Sequence, residues 1–254
     1  METVVRRSFC FAAVGLLAAS GCFSGSYDEA YSKSLVRYRQ ESEFQRLHKE
    51  PKKLPGGRLL LRVPKLFDKE DSDGKEEWSK PPLLGNFPGT RVGYRWLRDL
   101  NNEKLPATLT VWAVTDDELS LDGINTLIRD AVRKEPAFTT VEWQQVETQA
   151  NGDGKLAWGM LKLEGQQPFE RIIANNPEEK SSEGETQIWV SSNPESKVSA
   201  VLVWRIPQEL AADVLLNELA PLVARTVELL PEAKPAPALE AAPEAPQEAA
   251  AAAN

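Results

Sequence analysis

Leu105-Pro106-Ala107-Thr108-Leu109-Thr110-Val111, running on towards a helix that begins after Ser120, is the stretch whose reading decides the fold. Ala107 to Val114 is rich in apolar and β-branched residues and reads as a strand. Thr90 to Leu97 reads as its hairpin partner, with Asn101-Asn102 in the connecting turn. Beyond it, Ser120 is an N-cap, and Leu121, Ile124, Leu127, Ile128, Ala131 and Val132 fall on one helical face. Pro136 closes that helix.

Outward from this unit, Arg58 to Val63 reads as a first strand and Asp68 to Pro82, charged and proline-bearing, as a loop. Four further strands are expected at Thr139 to Thr148, Lys155 to Glu164, Thr186 to Ser191 and Lys197 to Ile206. Asn151-Gly152-Asp153-Gly154 and Asn193-Pro194-Glu195-Ser196 are turns, and Asn175 to Glu185 is a polar loop. A last helical region spans Gln208 to Leu230, with Pro221 predicting a kink. Short links between consecutive strands mean antiparallel pairing. The fold class is therefore α+β, an antiparallel sheet of about six to seven strands packed with two main helices. This order, with the Leu105–Val111 run leading into the Ser120 helix, resembles the PsbP/Mog1-like fold over roughly residues 58 to 230. The resemblance implies a non-enzymatic accessory or binding module and supplies no site residues.

The N-terminus carries an address. Arg6 and Arg7 precede an apolar run from Phe9 to Ala19, too short to span a bilayer and of signal-peptide length. Ala18-Ala19-Ser20-Gly21-Cys22 closes it and resembles the lipobox of bacterial lipoproteins, with Ala19 where Leu is commonest. Residues 1–21 are then a signal peptide, and Cys22, followed by a 22–26 spacer, is the lipidated first mature residue. Several acyl chains make membrane anchoring stable. Arg6-Arg7 also leaves twin-arginine export open beside the general route. Phe23 and Ser24, with no Asp after the cysteine, fit sorting to an outer membrane. Ser26 and Glu29 form a capping box opening an amphipathic helix over 27–50, with Tyr31, Leu35, Tyr38, Phe44 and Leu47 as its apolar stripe. The domain proper is 51–230. The tail, 231–254, is Ala, Pro and Glu, and is expected to be disordered.

Composition narrows the chemistry. The net charge of −8 argues against charge-driven binding to nucleic acid. The two cysteines are Cys10, in the removed segment, and Cys22, so the mature fold has no thiol left for catalysis, disulfide or thiolate metal site. His48 is the only histidine and falls in the N-terminal helix, away from any nucleophile motif. Asp71-Ser72-Asp73-Gly74 and Asn151-Gly152-Asp153-Gly154 mimic calcium loops but lack carboxylates at the end positions. No metal, cofactor or catalytic residue is expected.

Of seven tryptophans, Trp112, Trp143, Trp158, Trp189 and Trp204 lie in predicted strands and are expected to pack on sheet faces. Trp78 and Trp96, with Arg95 and Arg98 beside the latter, are the candidate binding residues. Two functions follow. One is a lipid-anchored cell-envelope protein acting as a non-catalytic interaction module, with the membrane and an envelope protein as partners. The alternative is a small-ligand or glycan-binding lipoprotein.

Overall fold

The computed structural model describes residues 31, 34, 42–135, 138–149 and 155–231. The signal segment, Cys22, the Ser26–Glu29 capping box, most of the N-terminal helix, Pro136, the Asn151–Gly154 turn and the Ala/Pro/Glu tail lie outside them. Among the described residues no helix is long and apolar enough to cross a membrane.

The architecture is α+β, built on an antiparallel seven-stranded sheet. Its strands are β3 (Lys69–Asp71), β4 (Thr90–Leu100), β5 (Glu103–Thr115), β6 (Phe138–Gln149), β7 (Lys155–Ile173), β8 (Asn176–Asn193) and β9 (Val198–Pro207). They lie in the order β3-β4-β5-β9-β8-β7-β6. The β4–β5 hairpin turns on Asn101 and Asn102, both at positive φ, where Asn is better tolerated than most residues. Helix α1 (Leu121–Arg133) is capped by Ser120, whose hydroxyl accepts from the Gly123 N–H.

The first expected strand sits elsewhere. β2 (Leu59–Leu61) pairs with β1 (Lys52–Lys53) and β10 (Glu228–Leu229) in a separate three-stranded sheet. Its place in the main sheet is taken by β3, inside the stretch read as a loop. Both Leu59 and Leu61 are fully buried, so this small sheet serves as a lid on the core.

Two cores result. On one face, Tyr94, Leu109, Trp158, Trp189 and Trp204 pack with the small sheet, with Leu47, and with helices α2 (Ala211–Val214) and α3 (Leu216–Ala224). On the other, Trp112, Leu161, Leu163, Ile188 and Val203 pack with Ile124 and Ile128 of α1. Burying each of those isoleucines is worth about 1.5–3 kcal/mol relative to exposure.

Three further expectations are corrected. The helix read over 27–50 has ended by Leu47: Phe44–Arg46 is a 3-10 turn, and Leu47 bridges to Pro64. The backbone of 46–48 instead pairs with that of 63–65, His48 N–H donating to Val63 and Lys65 N–H to Arg46. The last helix breaks at Leu215, which is left-handed at φ 51°, and not at Pro221, which α3 contains. It stops at Ala224, freeing Glu228-Leu229 to pair with β2.

The third correction shapes the site. Asn175 to Glu185 is no loop: β7 and β8 run for 19 and 18 residues and close on a two-residue turn, Ala174-Asn175, both at positive φ. β6 leaves β7 at Gly165, and β9 leaves β8 at Gly184; these two glycines face each other across the ribbon. Past them the ribbon bends over the sheet until Ile172 and Ile173 pair with Lys104 and Glu103 of β5. Gly184 has no alternative there, because a Cβ would run into the Phe169 ring and the Ile206 carbonyl.

Candidate functional site

Beyond the apolar patch under α1, the same sheet face turns polar. Register places Arg95 of β4, Thr108 of β5, Arg205 of β9 and Thr186 of β8 in one cross-strand row. Two strand spacings, about 10 Å, separate the two arginine Cα atoms. A row of this kind inside a sheet needs partners, and the structure supplies them from two directions.

The first roof is the segment after β3. Asp71 is buried, and its carboxylate accepts from the N–H groups of Lys75 and Glu76 and from the Ser79 hydroxyl at 2.6 Å. These bonds fix the 3-10 turn Glu77–Ser79, and Thr110 anchors it by donating to the Ser79 carbonyl at 3.0 Å. The calcium-like spacing of Asp71, Asp73 and Gly74 is thus turn chemistry. Trp78, carried by the turn, lies half-buried with the Arg95 guanidinium 4.5 Å from its ring centre.

The second roof is the bent ribbon. Phe169 is buried, with the Arg205 guanidinium 5.2 Å from its ring centre; Arg205 also donates to the Pro168 carbonyl. Glu170 pairs with Arg95 at 3.5 Å. Gln167 lies buried between the strands, accepting from the Thr186 hydroxyl at 2.6 Å and donating to the Gly184 carbonyl at 3.1 Å. At the far end Arg171 clamps Glu103 at 2.9 Å and Glu209 at 2.5 Å.

Burial sets the electrostatics. The Glu170 carboxyl is pushed above the ordinary carboxylate range by desolvation, Arg95 and Arg205 pull it back, and Glu179 adds to the rise. Arg205 is lowered to about 10, again by burial, with Glu179 and Glu170 opposing. At the rim, Glu77 is lowered by its hydrogen bond to Lys80.

Between the two roofs runs an open groove of about 610 Å³, walled by Trp78, Pro81 and Pro82 on one side and Glu170, Glu178 and Glu179 on the other. Its floor continues into a recess of about 40 Å³ reaching Thr108, Phe169 and Arg205. Another groove, of about 660 Å³, lies between His48, Lys65, Phe67 and Glu70. Among the described residues no group of three or more His, Cys, Asp or Glu side chains is placed to hold a metal.

Of the four candidate binding residues, the structure brings Trp78 and Arg95 together and separates the other two. Trp96 points to the opposite face and packs on the main core, while Arg98 is ion-paired with Asp213. The tryptophan expectation fails at Trp143, which is 42% exposed on β6. Arg205, Phe169, Glu170 and Glu179 were missed, because only the strand register and the ribbon's bend bring them over the row.

No protein-family model and no curated protein matches the chain. Among solved structures it is similar to the Ran-binding protein Mog1p of Saccharomyces cerevisiae, with 13% identity, 73% of this chain and 97% of that one covered, and a TM-score of 0.38. It is also similar to cyanobacterial PsbP from Synechocystis, with 13% identity, 71% and 92% covered, and a TM-score of 0.37. A third neighbour is a Bacteroides thetaiotaomicron protein with 12% identity, 74% and 51% covered, and a TM-score of 0.31. The first two are named for the Mog1 and PsbP proteins whose fold the element order resembles. At these TM-scores the similarity carries no argument about what the chain is or binds.

Proposed function

We propose that this chain is a lipid-anchored protein of the bacterial cell envelope whose folded part is a non-catalytic interaction module. The lipobox-like Ala18–Cys22 and the apolar run before it support the anchor, at Cys22. The groove beside Trp78 supports the interaction role: it is an open trough between two roofs, shaped for an extended segment of a partner protein. Glu170 is ion-paired with Arg95, and Arg205 lies beneath it, so this carboxylate is already engaged by the fold. The convergence of Trp78 and Arg95 favours the small-ligand or glycan alternative, but the guanidinium there is already held by the indole and Glu170.

Affinity capture with the membrane-anchored chain, followed by mass spectrometry, tests this reading. A stoichiometric protein retained by the parent and lost with Trp78→Ala is the expected result. Retention of no protein, or equal retention by the variant, would overturn it. Cys22→Ser tests the anchor separately and is expected to move the chain from the detergent phase to the aqueous phase.

A further inference from the structure

We propose that β6 is the two-fold interface of a homodimer, pairing antiparallel with β6 of a second copy so that Trp143 stands opposite Trp143. The two edges of the main sheet are built differently. β3 is three residues long, Lys-Glu-Asp, the short charged kind of edge that blocks further pairing. β6 is a twelve-residue edge strand, Phe-Thr-Thr-Val-Glu-Trp-Gln-Gln-Val-Glu-Thr-Gln, with no proline or lysine. An edge of that length presents a ladder of backbone donors and acceptors that another strand matches.

The side chains say which strand. Register makes Val203, Ile188, Leu161 and Trp143 one cross-strand row. The first three are buried under α1, and the row runs out at the edge with Trp143 42% exposed. Val141, two residues along on the same face, is 48% exposed. Arg129 of α1 lies 5.6 Å from the Trp143 ring centre and does not bury the ring. A second β6 related by a two-fold axis at Trp143 carries the apolar row unbroken into the next sheet, an isologous contact.

Charge is compatible with this register. With the axis at Trp143, Glu142 lies opposite Gln144 and Glu147 opposite Thr139. An axis at Glu142 or at Glu147 would set that carboxylate against its own copy, and like charges directly opposite are destabilising. The fourteen-stranded sheet that results keeps both α1 helices on one side.

Charge exchange at position 143 tests the axis. Sedimentation equilibrium of the full chain in density-matched detergent should give the mass of two chains for the parent. Trp143→Glu gains Arg129 as an ion partner but sets two carboxylates face to face, and should give one chain. Trp143→Lys should also give one chain, and an equimolar mixture of the two variants should return to two. A parent that stays single up to millimolar concentration, a variant that still pairs, or a mixture that fails to recover would overturn the proposal. The outcome is independent of the groove beside Trp78, which lies on the far side of α1's patch.

Discussion

Glu170 and Glu179 stand directly opposite each other across the β7–β8 ribbon, two like charges in one cross-strand pair. Left alone such a pair opposes strand formation. Here the ribbon bends so that Glu170 meets Arg95 and Arg205, whose charges act on it against its burial, and Glu179 acts on Arg205. The ribbon's bend and the polar row beneath it therefore explain each other.

The first prediction follows from the sign of the Glu170 shift. Its folded-state value lies above the ordinary one, so the folded protein holds the proton more tightly than the unfolded chain does. Stability is lost as pH rises from about 4.3, the ordinary glutamate value, through the raised one. Glu170→Gln mimics the protonated form and escapes that loss. Urea midpoints of parent and variant should lie close together at pH 3, and the difference should move in the variant's favour as pH rises to 7. A difference constant with pH would contradict the assignment.

The bend itself depends on Gly184 and Phe169. Gly184→Ala forces its methyl into the Phe169 ring and the Ile206 carbonyl, and should destabilise by about 1–3 kcal/mol, the usual cost of overpacking. Phe169→Ala should cost about 3–5 kcal/mol through the cavity it leaves. Combined, the two should cost less than their sum, because removing the ring makes room for the methyl. Chemical denaturation of the four proteins in that cycle measures the coupling, and strict additivity would refute the contact.

How far the sequence carried this reading depended on local chemistry. Asn101-Asn102 between two β-rich runs and Ser120 before a one-faced apolar stripe are local signals, and the β4–β5 hairpin and α1 follow from them. The distal ribbon has no such signal, since Pro177 to Glu183 alternates nothing apolar, and its β7 partner is held through Glu170 and Arg171 by ion pairs to residues far away in sequence. Gly165 and Gly184 flanking Asn175 were the only hint. The candidate pair Arg95 and Trp96 shows a different failing: neighbours on a strand point to opposite faces, so both could never serve one site. The Arg95–Thr108–Arg205–Thr186 row needs the register of four strands, which single-strand patterns do not contain.

A third prediction concerns Leu215. It breaks the last helical region in the left-handed conformation, at φ 51° and ψ 59°, with its side chain 44% exposed. A β-carbon in that region costs roughly 1–2 kcal/mol, against the burial of only the covered part of the side chain. Leu215→Gly should therefore stabilise the protein, by about 1 kcal/mol or less once the extra freedom of glycine in the unfolded chain is counted. A fall in melting temperature would show that Leu215 makes contacts its exposure conceals.

The last prediction addresses what holds the tip of the ribbon down. Arg171 is mostly buried and bridges two glutamates on separate elements, Glu103 at the start of β5 and Glu209 after β9. Its own ionisation is shifted upward, first by the hydrogen bond to Glu103. Hydrogen bonds involving charged groups contribute about 1.5–3 kcal/mol each, more than the short Ile172–Lys104 and Ile173–Glu103 pairings would be expected to supply. Arg171→Ala removes both at once and leaves Glu103 without this partner. Amide exchange at Ile172, Ile173 and Asn176 should then quicken by about tenfold or more, one decade for each 1.4 kcal/mol of local stability lost. The amides of Leu109, Val203 and Ile188, set in the middle of the sheet, should keep their protection. If all of them quicken together, the ribbon does not open on its own, and Arg171 supports the whole domain instead of its tip.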